Sequence, residues 1–193
     1  FYQSAAYSLD DGRTFNLINE GHGLIPNQGF DRGERDPKIL WHEKTKKWVS
    51  VLWVKRGDDT FSGPDTGPGD LQKMGKVRFF ESSDFINWRK LSDFDRNWVF
   101  ECMDFVELPI DGDLSNKKWL LYDASFDYEV GDFDGKEFVT DKKVGRGDYG
   151  NHFYAGQTFN NSPDGRTIII GWMPTRDKNI FIENDMPWNQ QMS

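Results

Sequence analysis

Cysteine is nearly absent: Cys102 is the only one in 193 residues, so no internal disulfide can staple the fold and stability must come from packing. Basic residues are outnumbered, with 24 Lys and Arg against 32 Asp and Glu. The resulting charge of −8 denies the chain the clustered cations that a phosphate backbone needs, which sets nucleic acid aside as a partner. The acidic residues are scattered and read as a solubilising surface. No apolar run approaches the roughly eighteen residues of a membrane-spanning helix, and no helical periodicity persists beyond about two turns. Histidine is scarce too. His22, His42 and His152 lie far apart, without the i, i+4 spacing of a helical metal pair, so structural or surface roles are expected for all three, with no catalytic metal. The chain has neither a Gly-rich phosphate loop nor a serine-hydrolase elbow, and nothing calls for a cofactor. Any chemistry falls to carboxylates.

Aromatic side chains and turn residues are plentiful. Aromatics make up 16% of the chain, with 16 Phe and 8 Trp, while 19 Gly and 8 Pro supply frequent breaks. That mix suits short strands joined by tight turns, in one all-β domain. Residues 48–54 alternate, with Trp48, Ser50, Leu52 and Val54 on one face and Val49, Val51 and Trp53 on the other. Both faces are largely apolar, so this strand is expected to lie buried between layers. Further strands are expected at 76–80, 98–108, 118–124, 152–159 and 167–173. Asp11-Gly12, Asp111-Gly112, Asp134-Gly135 and Asp164-Gly165 mark hairpin turns between them. Residues 57–75, with five Gly and two Pro, read as a long surface loop.

One pattern recurs. Ser8-Leu9-Asp10-Asp11-Gly12-Arg13-Thr14 returns as Ser162-Pro163-Asp164-Gly165-Arg166-Thr167, with a looser copy at Ser82-Ser83-Asp84. The steps between Asp10, Asp84 and Asp164 are 74 and 80 residues. Repeating sheet units of a radial β array would produce this, and so would a favourable turn used more than once.

Among the 32 carboxylates, context selects two. Arg35-Asp36-Pro37 stands at the entry to the apolar Ile39-Leu40-Trp41, a charged pair followed by a residue that cannot donate to a ladder. Glu101 lies inside the apolar run 98–106, where a carboxylate is costly unless paired or functional. Residue types alone leave plainer readings open: a buried salt bridge from Glu101 to an arginine, and a strand-end ion pair for Arg35 and Asp36.

Ordered motifs go further. Gln3 to Thr14 fits the pattern Gln-x-x-Ala-Tyr-Ser-x-Asp-x-Gly-Arg-Thr. Arg35-Asp36-Pro37-Lys38 follows, then Phe100-Glu101-Cys102 with Leu108-Pro109 downstream. Phe133-Asp134-Gly135-Lys136-x-Phe138, Asp148-Tyr149-Gly150 and Phe153-Tyr154-Ala155-x-Gln157-Thr158 come next. Ile170-Gly171-Trp172-Met173 and Pro187-Trp188 with Met192-Ser193 close the series. In this order, across nearly the whole chain, the motifs resemble glycoside hydrolase family 32, the invertases, inulinases and levanases. The resemblance implies that residues 1–193 are part of a single catalytic domain, a five-bladed β-propeller with a funnel-shaped site on its axis. It implies retaining hydrolysis of β-fructofuranosidic bonds in sucrose or fructans, with Glu101 as acid/base, Asp36 as transition-state stabiliser and Arg35 orienting both Glu101 and the sugar. Trp172, Tyr154, Gln157 and Cys102 become candidates for the sugar-site lining, Cys102 as a packed neighbour of Glu101 and not a reactant.

The chain departs from the family at its nucleophile, the Asp of a Trp-x-Asn-Asp-Pro-Asn-Gly motif that occurs nowhere here. Pro26-Asn27-Gln28-Gly29 has no Asp before its Pro, and Asn184-Asp185-Met186-Pro187 falls too late in the order. Asn151-His152 stands where many relatives carry an acidic residue. Both ends look cut, so the propeller is expected to lack its first blade and its C-terminal portion. A further segment or second chain would supply that blade, and these residues alone are expected to be inactive. The expected partner is a small or polymeric fructoside, with secreted or periplasmic location and no signal segment visible. A fructosyltransferase of the same family and a non-catalytic fructan-binding module remain as alternatives.

Overall fold

Alternation of β-branched and aromatic residues, broken by turn residues, produces strands throughout the chain. The computed structural model describes residues 2–30, 33–55, 75–150, 153–174 and 190–192, and no α-helix occurs among them. A short hairpin, β1 (Ala6–Tyr7) and β2 (Asn16–Leu17), comes first. Then follows a four-stranded antiparallel sheet of β3 (Glu34–His42), β4 (Lys47–Lys55), β5 (Gly75–Ser82) and β6 (Arg89–Asp95), paired in chain order. A second meander contains β7 (Asp104–Ile110), β8 (Asp113–Tyr122), β9 (Asp127–Phe133) and β10 (Phe138–Thr140), with β11 (Gly145–Arg146) also on β9. The third sheet runs β12 (Tyr154–Thr158), β13 (Ile169–Pro174) and β14 (Gln190–Met192).

The strand expected at 48–54 is β4, and it is buried on both faces. Val49, Val51 and Trp53 enter the main core, while Leu52 and Val54 join Ile25 and Phe80 in a smaller cluster on the other side. The main core fills the space between the four-stranded sheet and the second meander. Phe105 stacks on Trp119 at 4.5 Å between centroids, and Phe79 meets both Phe105 and Phe133 at 5.3 Å, so aromatic rings hold the sheets together. His42 belongs to this core. It is 2% exposed, its Nδ1 is 2.8 Å from Thr45 Oγ1, and burial pushes its pKa below the ordinary value, which keeps it neutral. His22 is exposed; His152 lies outside the described residues.

All four Asp-Gly pairs fall in turns between strands. At Asp11-Gly12 and Asp111-Gly112 both residues have positive φ (58° and 80°, 50° and 80°), as tight hairpins require. In the recurring pattern, Ser Oγ donates to Asp Oδ1 each time: 2.8 Å for Ser8–Asp10, 2.9 Å for Ser82–Asp84 and 2.7 Å for Ser162–Asp164. These turns occupy different places, however. One joins the last two strands of its sheet (β5 and β6), whereas another joins β12 to β13 at the start of its sheet. The pattern therefore marks a turn chemistry, not a blade period.

The run 98–108 corrects the sequence reading. Only its second half is a strand, for β7 begins at Asp104, and Trp98–Met103 forms an irregular segment that turns at Cys102 (φ 53°). Glu101 thus stands just before a strand and not inside one. The loop expected at 57–75 lies outside the described residues except for Gly75.

Candidate active site

Three consecutive sheets each bring a strained residue to the same place. Asp36 on β3 (φ 60°), Cys102 just before β7 (φ 53°) and Ala155 on β12 (φ 55°) all adopt the left-handed conformation. Each such residue costs about 1–3 kcal/mol and persists only where surrounding structure fixes it, a condition that clusters at functional sites. On β3 and β12 the cause is a bulge: pairing with the neighbouring strand slips between Arg35 and Lys38, and between Tyr154 and Gln157. Bulges re-aim side chains that regular alternation would send elsewhere. Pro37, which cannot donate to a ladder, sits within the first of them.

The side chains so aimed converge on Glu101. Arg35 donates to Glu101 Oε2 twice, from Nε at 3.0 Å and from Nη2 at 2.7 Å. The same Nε lies 3.6 Å from Asp36 Oδ2, so one guanidinium serves both carboxylates. Asp36 Oδ2 also accepts the Cys102 backbone N–H at 2.9 Å. Tyr154 donates its hydroxyl to Glu101 Oε1 at 2.5 Å. Burial and the Glu101 carboxylate push the Tyr154 phenol above its ordinary pKa, so it stays a neutral hydroxyl. Arg35 is held from behind by the Trp53 ring, with Cζ 4.4 Å from the centroid. The side chains of Asp36 and Glu101 retain 32% and 23% exposure, enough to meet a ligand.

The sequence candidates thus separate. Arg35, Asp36, Glu101, Cys102, Tyr154 and Gln157 form one cluster. Gln157 ties the turn at Cys102 in place, donating to the Cys102 carbonyl at 2.9 Å and the Met103 carbonyl at 3.3 Å. Cys102 is a poor reactant, because burial, then the Asp36 and Glu101 charges, push its thiol up to about 12. Trp172 stands apart. It is the cross-strand partner of Tyr154 and 42% exposed, but no hydrogen bond or ring contact among the described residues joins it to Glu101. Asn151, His152, Pro187 and Trp188 lie outside the described residues. Among those described, no group of three or more His, Cys, Asp or Glu side chains could hold a metal ion.

Sequence reasoning passed over Asp104 and Lys38. Asp104 is fully buried, and Lys38 is 6% exposed with its Nζ 3.1 Å from Asp104 Oδ1. The criterion that singled out Glu101, a carboxylate within an apolar run, applies equally to Asp104.

Comparison with known proteins places this arrangement. The chain is 35% identical over 205 residues to a levanase of Bacillus subtilis, and 33% identical over 186 residues to an extracellular exo-inulinase of Meyerozyma guilliermondii. These alignments cover 96% and 88% of the chain but only 27% and 32% of the relatives, so the chain spans about a third or less of their length. Among solved structures, an exo-inulinase from Aspergillus awamori superposes with a TM-score of 0.70 at 26% identity. A mutant Bombyx mori GH32 beta-fructofuranosidase in complex with sucrose gives 0.69 at 26%. Both cover all of this chain, and it covers 39% and 40% of theirs. The model of the glycosyl hydrolases family 32 N-terminal domain matches residues 1–193. With that match over every residue, and sheets that superpose on solved members, the chain belongs to glycosyl hydrolase family 32, and its sheets are blades of that family's β-propeller.

Proposed function

We propose that the protein carrying this chain hydrolyses β-fructofuranosidic bonds of sucrose or fructans with retention, using Glu101 as acid/base. The observation that carries the reading is the asymmetric hold on Glu101. Its Oε2 faces two N–H donors of Arg35, while among the described residues its Oε1 faces only the Tyr154 hydroxyl. A guanidinium can only donate, so a proton on Oε2 would oppose two others; a phenol can donate or accept. The transferable proton therefore belongs on Oε1, from which it passes to the departing glycosidic oxygen, and the same oxygen later takes a proton from water. Asp36, anchored through one oxygen by the Cys102 N–H, hydrogen-bonds fructose hydroxyls and stabilises the oxocarbenium-like transition state. Arg35 fixes the two carboxylates relative to each other through charge-assisted bonds.

Retaining chemistry also needs a carboxylate about 5–5.5 Å from the acid/base, and these 193 residues contain no match to the family's nucleophile motif. The nucleophile is assigned to residues outside this chain. The levanase, exo-inulinase and invertase names of its relatives support fructans and sucrose as the substrate class, and the extracellular exo-inulinases among them support export. Product analysis tests the assignment. The full-length protein should release fructose from levan, inulin or sucrose; release of arabinose or xylose from their polymers instead, or binding without turnover, would overturn it. Transfer of fructose to a second sugar in place of water would identify a fructosyltransferase.

A further inference from the structure

Directly behind the Glu101 cluster lies a second tier of polar residues, in which Asp104 is fully buried, Lys38 nearly so and Thr158 half-buried. Lys38 Nζ donates to Asp104 Oδ1 at 3.1 Å, to Thr158 Oγ1 at 2.9 Å and to the Thr158 carbonyl. Asp104 Oδ2 accepts from the Tyr122 hydroxyl at 2.8 Å, from Thr158 Oγ1 at 2.8 Å and from the Thr158 N–H. Its Oδ1 also takes the Phe105 N–H at 2.7 Å. The three ammonium protons therefore meet three acceptors, and both carboxylate oxygens are satisfied. Burial, then the Asp104 charge, push the Tyr122 phenol above its ordinary pKa, so it remains a donor.

A satisfied buried ion pair is weak evidence for stability, because apolar replacements of similar volume are often neutral or better. Its placement suggests another purpose. Lys38 follows the left-handed Asp36 by two residues, Asp104 follows the left-handed Cys102 by two, and Thr158 follows the left-handed Ala155 by three, across a bulge. The three members of the network thus sit one step behind the three strained residues, one from each blade. Strained backbone relaxes unless the surroundings fix it. Relaxation here would change how Asp36 and Glu101 are placed relative to each other, because Asp36 is itself left-handed and Glu101 adjoins Cys102.

We propose that Lys38, Asp104 and Thr158 form an interblade clamp that positions Asp36 and Glu101, holding three left-handed residues in register. The proposal rests on the roles given above to those two carboxylates. None of the clamp residues touches substrate. The clamp sets the distance between groups that do, and misplacement by about 1 Å can cost on the order of 10²-fold in rate.

Thr158→Val tests this in the full-length protein, since it keeps shape and backbone bonds while removing the hydroxyl shared by Lys38 and Asp104. Thr158→Ser keeps the hydroxyl and removes only a methyl group. Thr158→Val should lower kcat about tenfold or more with KM within about twofold, whereas Thr158→Ser should retain most of the kcat. Amide exchange gives a readout independent of turnover: the Cys102 N–H, bonded to Asp36 at 2.9 Å, should exchange faster in Thr158→Val than in Thr158→Ser. Equal kcat losses in both variants, or a lowered Tm with full kcat in Thr158→Val, would overturn the clamp. A wild-type protein that releases no fructose would instead overturn the functional reading, and the exchange comparison would then decide the clamp on its own.

Discussion

At the scale of single residues, surroundings decide what each side chain can do. Cys102 is the clearest case, since a lone thiol beside two carboxylates invites a nucleophilic role. Burial and those charges raise it from an ordinary 9.0 to about 12, so the reactive thiolate is scarce near neutrality. Alkylation of Cys102 by iodoacetamide near about pH 8 should run on the order of 10³ slower than for an unhindered cysteine, accelerating only as pH climbs toward the raised value. Peptide mass mapping checks this, and prompt labelling near neutrality would contradict it. Arg35, Asp36 and Glu101 were visible in the sequence because charge in an apolar context stands out. The bond that Tyr154 makes was not visible: the ordered motifs made it a candidate for the sugar-site lining, but it is 53 residues from Glu101 in the chain, and only folding brings its hydroxyl to Oε1. Nor could residue type show that Asp104, in the same apolar run as Glu101, is wholly enclosed and already paired.

Elements were legible where periodicity carries the information. β4 could be read because both of its faces are largely apolar, and like β5 it contributes to both clusters. The segment before β7 was misread because hydrophobic pattern reports burial, not backbone handedness, and the left-handed Cys102 takes the chain out of the ladder. Cross-strand ion pairs were equally hidden. Asp93 on β6 receives a fork from Arg78 on β5, with Nε at 2.8 Å and Nη2 at 2.9 Å. Burial alone would raise the Asp93 pKa, but the Arg78 and Lys90 bonds outweigh it and hold it below the ordinary 3.8. A depressed carboxylate contributes stability that is present above its unfolded value and lost as pH falls through the folded one. Asp93→Asn should therefore cost about 2 kcal/mol near neutral pH, with the gap to wild type closing as the solution is acidified below 3.8. Urea melts at several pH values measure it, and a gap that persists undiminished in acid would contradict the assignment.

At the scale of the whole chain, the described sheets are blades of a β-propeller, and residues on or just before β3, β7 and β12 meet around Glu101 and, one step behind, in the Lys38–Asp104 ion pair. The β class was readable from composition and turns, but the blade architecture required the ordered motifs, because no local pattern encodes how sheets are placed around an axis. The central claim is that Glu101 and Asp36 do different work: one moves a proton at the leaving oxygen, the other stabilises charge on the sugar. Kinetics on fructosides with graded leaving groups separate these roles most directly. In the full-length protein, Glu101→Gln should lose about 10²–10⁴-fold in kcat on sucrose or fructan, and far less in the first step with an activated aryl fructoside that needs no proton. Asp36→Asn should lose a similar factor on every substrate, whatever its leaving group. Parallel losses for the two variants across the whole series would contradict the account.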